Sequence, residues 1–148
     1  MIELNISGKP EGKSRPRFGS GGRVYTPRKT EVAEREIRAA WEEQGRPRLP
    51  DGPIEIEIVL IVERPRGHFN TKGELNKKGR SMPFPHNKKP DVDNAVKLVM
   101  DALNTRAYRD DVQICKATVT REWGDIAFTQ IRLNELNVTR TSGSTPTD

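Results

Sequence analysis

Apolar and polar positions alternate over Ile2, Leu4 and Ile6, with Glu3 and Asn5 between them, which predicts a short strand with one buried face. Between Thr30 and Gln44 the interval changes. Ala33, Ile37, Ala40 and Trp41 recur at helical spacing, Thr30 is placed to cap the N-terminus, and Gly45 and Pro47 stop the helix. Ile54, Ile56, Ile58, Leu60 and Val62 then share one face of a period-two run, the clearest strand in the chain; Glu55 and Glu57 lie opposite at first, Val59 and Ile61 later. From Asn94 to Leu103 the apolar residues leave Asn94, Lys97, Asp101 and Asn104 as one polar stripe, so this helix is buried on every other side. Val112 to Trp123 and Ile126 to Leu133 read as two strands joined by a tight hairpin at Gly124 and Asp125. The apolar phase slips between Ile114 and Cys115, which predicts a bulge there.

The order strand, helix, strand, helix, strand, strand predicts an α+β fold: a small mixed sheet of about four strands with two packed helices. A chain of 148 residues suits one domain, placed at 1–136. Three stretches lie outside the pattern. Ser14 to Pro27 surrounds a glycine-rich tip and reads as a flexible hairpin; residues 64–89 lack periodicity and read as a mobile basic loop; residues 137–148 hold little to bury and read as a disordered tail.

Composition narrows the chemistry. Only 32% of residues are apolar and another 32% are charged, so the core is small. No apolar run is long enough to span a membrane and Met1 to Leu4 lacks a signal-peptide layout, so a cytoplasmic protein of a bacterial or phage-infected cell, without membrane partners, is expected. The lone Cys115, with only His68 and His86 beside it, sets aside an intrachain disulfide and a Cys/His zinc site. Cys115, Trp41 and Trp123 are expected to be structural: a buried strand residue and two core or interface anchors.

The net charge of +5 is unevenly spread. Residues 9–29 carry seven cations against Glu11, and residues 64–89 carry eight against Glu74, so fifteen of the 26 Lys and Arg lie in two loop-like stretches. That pattern favours a polyanion, with Lys13, Arg15, Arg17, Arg23, Lys72, Lys77, Lys78, Arg80, Lys88 and Lys89 as candidate DNA contacts. Aromatic residues there are few: Phe18, Tyr25, Phe69 and Phe84.

Between these stretches runs Lys89 Pro90 Asp91 Val92 Asp93 Asn94, followed by Lys97, Asp101 and the pair Asp110 Asp111. In an extended lead-in Asp91 and Asp93 share a face, and a returning strand that begins near them would add Asp110 or Asp111. Such a carboxylate cluster repels itself unless a hard cation, Mg²⁺ or Mn²⁺, neutralises it. The bland alternative assigns Asp93 to a helix N-cap, Asp91 to the helix dipole and Asp110 Asp111 to a turn. An EF-hand starting at Asp91 fails because Ala95, Val96 and Ala102 occupy its ligand and glycine positions. No phosphate-binding loop or serine-hydrolase elbow is present. A carboxylate-held metal between cationic arms is suited to phosphodiester hydrolysis, with Lys97 either donating to the phosphate or bridging to Asp93 or Asp101.

These residues, together with Asp101 Ala102 Leu103 Asn104, Tyr108 to Gln113, Arg15 to Phe18 and Gly22 to Pro27, resemble the RusA family of crossover-junction endodeoxyribonucleases over roughly residues 2–133. The resemblance implies a homodimer that binds four-way Holliday junctions and cuts two opposing strands with Mg²⁺, in DNA recombination and repair. It implies metal-binding roles for Asp91, Asp93 and Asp111 and a catalytic role for Lys97, with Asp101 and Asp110 as secondary candidates. A dimer also agrees with the small core, which leaves apolar surface for a second copy to cover. The rival expectation from another class is a non-catalytic module that binds branched or single-stranded nucleic acid, its aspartates serving only to order the helix. A nuclease for flaps or RNA is the weaker rival.

Overall fold

The structure is a computed structural model and describes residues 1–136. The tail expected over 137–148 lies outside the described residues. The elements are strands β1 (Ile2–Ser7), β2 (Arg17–Phe18) and β3 (Val24–Tyr25), helix α1 (Arg28–Glu43), β4 (Ile54–Glu63), a short helix α2 (Lys77–Arg80), α3 (Val92–Leu103), and strands β5 (Ile114–Gly124) and β6 (Phe128–Glu135). The fold is α+β, as its pattern predicts, with α2 as a third, one-turn helix.

The four long strands form one mixed sheet in the order β1-β6-β4-β5. β4 pairs parallel to β5 and antiparallel to β6, and β6 pairs antiparallel to β1. β1, β4 and β5 therefore run one way and β6 the other. Ile54, Ile56, Ile58 and Leu60 of β4, Leu4 of β1, and Ile131 and Leu133 of β6 are almost fully buried beneath α1 and α3. α1 contributes Ala33, Ile37 and Trp41, and α3 contributes Ala95, Leu98, Val99, Ala102 and Leu103, so each apolar stripe meets the same sheet face. Trp41 is a core anchor.

Three local readings change. β5 and β6 do not form a hairpin: they flank β4, and residues 125–127 pass across its end. Gly124 serves that crossing, because a Cβ there would lie 2.4 Å from Ile61 Cγ2 on β4. Thr30 is not the cap of α1, which begins two residues earlier; its buried hydroxyl accepts a hydrogen bond from Ser14 N at 3.2 Å. Cys115 is exposed rather than buried, since β5 is an edge strand. The predicted bulge is present: Ile54 pairs with Ile114 and Glu55 with Lys116, leaving Cys115 as the extra residue.

Residues 64–89 are organised by their own hydrogen bonds. A 3-10 turn spans Arg66–His68, Phe69 bridges to Leu75, and Asn76 caps α2 by accepting from Gly79 N at 2.9 Å. Trp123 of β5 anchors the segment by donating from Nε1 to Met82 O at 2.9 Å, with Arg64 over its ring and buried His68 against its edge. Burial, together with the nearby charges of Arg64, Lys78 and Lys88, holds the His68 imidazole below its ordinary pKa.

Candidate active site

A groove of about 1180 Å³ opens where the end of β4 meets the start of α3. Its floor holds Glu63, Asp91, Asp93, Asn94, Lys97 and Asp101. Two cationic walls flank it. One is the arm after β1, with Lys9, Lys13 and Arg15, joined by Lys29 of α1; the other is Lys88 and Lys89.

The arm is fastened to α3 by close contact. Lys13 N donates to Asn94 O at 2.9 Å, and a Cβ on Gly12 would fall 2.8 Å from Pro90 Cβ, so only glycine fits there. Lys13 Nζ pairs with Asp101 and, at 3.5 Å, with Glu34, and the bond to Asp101 raises its pKa. Lys13 thus anchors the arm, and Asp101 is its partner rather than a free carboxylate. The opposite wall is braced by Arg121 of β5, whose Nη1 donates to Lys88 O and, at 3.0 Å, to Pro90 O. The Lys89–Pro90 peptide bond is cis.

Neither acid at the start of α3 caps it through its side chain. Asp91 occupies the N-cap position without a side-chain bond, and Asp93 lies inside the first turn. Asp91 meets Lys89 Nζ at 3.4 Å, an exposed contact worth little. Asp93 and Lys97, one turn apart, make no ion pair among the described residues, and Asp91 has only the exposed contact to Lys89.

Asp110 and Asp111 do not join them. Asp111 N donates to Asn104 Oδ1 at 3.0 Å, and Asn104 caps the C-terminus of α3, about 20 Å along the helix from Asp91 at 1.5 Å per residue. The parallel pairing of β5 with β4 has the same result: Asp111 lies where β4 begins and the groove where it ends. The expected convergence of all four acids therefore does not occur within one chain, and among the described residues no three acidic, His or Cys side chains form a metal-holding group. Asp110 has a local role, since its Oδ1 accepts from Val112 N at 3.1 Å and Gln113 Oε1 accepts from Asp110 N, a capping box.

Asp111 is half-buried beside two other acids. Burial, then Asp110, then the charge of Asp101 push its carboxyl above the ordinary aspartate pKa. The folded protein thus holds this proton more tightly than the unfolded chain, and the group's contribution to stability falls as pH rises through the window above its ordinary value. Asp111→Asn removes that penalty. In EDTA at neutral pH its Tm is expected to exceed that of the native chain by a small margin, and thermal melts at pH values below the aspartate range should bring the two curves together.

Of the other candidate DNA contacts, Arg15, Lys88 and Lys89 line the groove, Arg17 and Arg23 lie on the β2–β3 hairpin, and Lys77, Lys78 and Arg80 lie on α2. Lys72 is exposed in the turn before it. Arg80 is partly structural, donating to Leu75 O at 2.6 Å. The groove also contains Lys9, Lys29 and Glu63, which sequence reasoning did not select, and it depends on Arg121. Lys9 and Lys29 belong to the basic stretch already noted; Glu63 and Arg121 had no local signal beyond strand alternation.

Carboxylates at a helix start, a neighbouring lysine and cationic walls are an arrangement suited to phosphodiester hydrolysis, the chemistry of the nuclease class. The sequence profile described as Endodeoxyribonuclease RusA matches residues 7–134, and the chain belongs to that family. It is also 27% identical over 140 residues, 92% of this chain and 97% of the relative, to the uncharacterized protein YqaN of Bacillus subtilis (strain 168). No helix among the described residues is long and apolar enough to cross a membrane.

Proposed function

We propose that this chain is a metal-dependent, structure-selective endonuclease that resolves four-way DNA junctions as a homodimer, in recombination and repair. The observation that carries this reading is the groove, in which Asp91, Asp93 and Lys97 lie between two cationic walls. Hard carboxylate oxygens fit Mg²⁺ or Mn²⁺, and Mg²⁺ is commonly held by one or two carboxylates with substrate phosphate oxygens completing its shell. Asp91 and Asp93 would hold it, with Asp111 of the partner subunit as a third ligand.

A divalent cation bound there supplies an activated water and neutralises charge on the phosphate. The residues of the chain do the rest. Asp91 and Asp93, fixed by the first turn of α3, orient the attacking water; Lys97 donates to the phosphate oxygen on which negative charge grows. Lys9, Arg15, Lys88 and Lys89 hold the phosphates on either side, and Arg121 and the Lys13–Asp101 pair keep the two walls in place. Two such sites related by a two-fold axis match the two opposing strands of a junction.

The test is cleavage of a labelled synthetic four-way junction beside a linear duplex of the same sequence, in Mg²⁺ or EDTA. Paired symmetric incisions in the junction, lost in EDTA, are expected. Tight binding indifferent to metal and without incision would replace this reading with a nucleic-acid-binding module.

A further inference from the structure

The β2–β3 hairpin has a fixed root and an open tip. At its root, Lys13 N and Ser14 N bond to Asn94 O and Thr30 Oγ1, and on the return side Thr30 N bonds to Pro27 O at 3.0 Å. At the tip Gly19 N donates to Arg23 O at 2.6 Å, while Gly21 and Gly22 have φ of +77° and +78° with nothing within 4 Å of a Cβ at either. Phe18 pairs across the ribbon with Val24, and Arg17 with Tyr25. Directly opposed residues share a face, so one face is apolar, Phe18 over Val24, and the other carries Arg17 and Tyr25.

The apolar face is uncovered. Phe18 is 80% exposed and Val24 62%. Cations flank it along the chain: Arg17 and Arg23 adjoin Phe18 and Val24, Arg15 precedes the ribbon, and all three are exposed. An apolar ribbon face framed by arginines, beside a groove suited to phosphates, matches the physics of side chains that enter a base step while cations hold the adjacent backbone. A linear duplex presents stacked bases and resists such entry. A branch point, where stacking is already interrupted, resists it less.

Resting on the reading above, we propose that the Phe18–Val24 face is a base-stacking wedge that enters the branch point and makes the protein prefer branched over linear DNA. Arg17 and Arg23 hold the flanking phosphates, and Asp91 and Asp93 then meet a strand at a set distance from the branch.

The experiment measures binding, in EDTA, of the native chain, Phe18→Ala and Phe18→Trp to a four-way junction and to a linear duplex, with 2-aminopurine at the branch-point base. Phe18→Ala is expected to weaken junction binding roughly tenfold, the scale of losing one base–aromatic stack, while duplex binding shifts by less than about twofold because the phosphate contacts remain. It should also abolish the 2-aminopurine signal that the native chain produces, and Phe18→Trp should restore signal and preference. Unchanged Tm confirms folding, as expected for so exposed a side chain. Junction preference intact in Phe18→Ala overturns the wedge alone, as does an equal loss on both DNAs. A dimer-to-monomer shift of Phe18→Ala in sedimentation overturns it in favour of a subunit contact. No preference in the native chain overturns both the wedge and the resolvase reading.

Discussion

Asp93→Asn is expected to lower junction cleavage by roughly 10³-fold or more, the scale of losing several kcal/mol of transition-state charge stabilisation, while junction binding is retained or strengthened. Asp91→Asn should behave alike. The sign of the binding effect follows from charge: each carboxylate faces a groove that receives phosphates, and its removal reduces repulsion wherever no cation intervenes. Folding should be untouched, because Asp93 is exposed and Asp91 makes no side-chain cap to α3. Single-turnover cleavage in Mg²⁺, beside binding measured in EDTA, separates the two effects. Variants that cleave at the native rate would refute the assignment. Variants that lose binding and cleavage together would make the acids structural.

Much of this site was legible in sequence because its central part is local. Asp91, Asp93 and Lys97 keep their mutual placement in a helix start that their own neighbours specify. Strands β1 and β4 were legible for a similar reason: burial of one face imposes strict alternation, visible at Ile54, Ile56, Ile58 and Leu60. The bulge at Cys115 was visible as a slip in that phase. What escaped is non-local. A three-residue link between β5 and β6 looks the same whether the strands pair or straddle a third, and the contact that decides it, Gly124 over Ile61, joins residues far apart in the chain. Thr30 reads as a cap by local preference, yet its hydroxyl is occupied by Ser14 from the arm. Arg121 alternates like any surface strand residue, but its guanidinium reaches the backbone of the groove wall. Asp111 is the largest departure. The helix between it and Asp93 was legible, but not where the chain after that helix would start its strand: β5 begins beside the start of β4, at the far end of α3 from Asp93.

That separation yields the second large effect. Mixing inactive Asp93→Asn with inactive Asp111→Asn protein, under conditions that allow subunits to exchange, is expected to restore junction nicking. A metal site made of Asp91 and Asp93 from one subunit and Asp111 from the other leaves each heterodimer with one intact site and one doubly altered site. If all three acids served within a single subunit, both sites of that heterodimer would be dead and mixing would restore nothing. Surface chemistry agrees with an interface beside both sets of acids: Val112, next to Asp111, is 77% exposed, and Val92, between Asp91 and Asp93, is 43% exposed. Burying such side chains against a second copy stabilises a dimer, by about 1 kcal/mol for Val112 and less for Val92, which is already more than half covered. The heterodimer has one working site, so it should nick one strand rather than cut two opposing ones. With random exchange, half the dimers in an equal mixture are of this kind, and denaturing gels of junctions labelled on each strand in turn would report the single incision. An Asp91→Asn and Asp93→Asn mixture is the control. On the proposed reading those two acids serve the same site from the same chain, so each heterodimer carries one altered acid in each site and should remain as inactive as either variant alone.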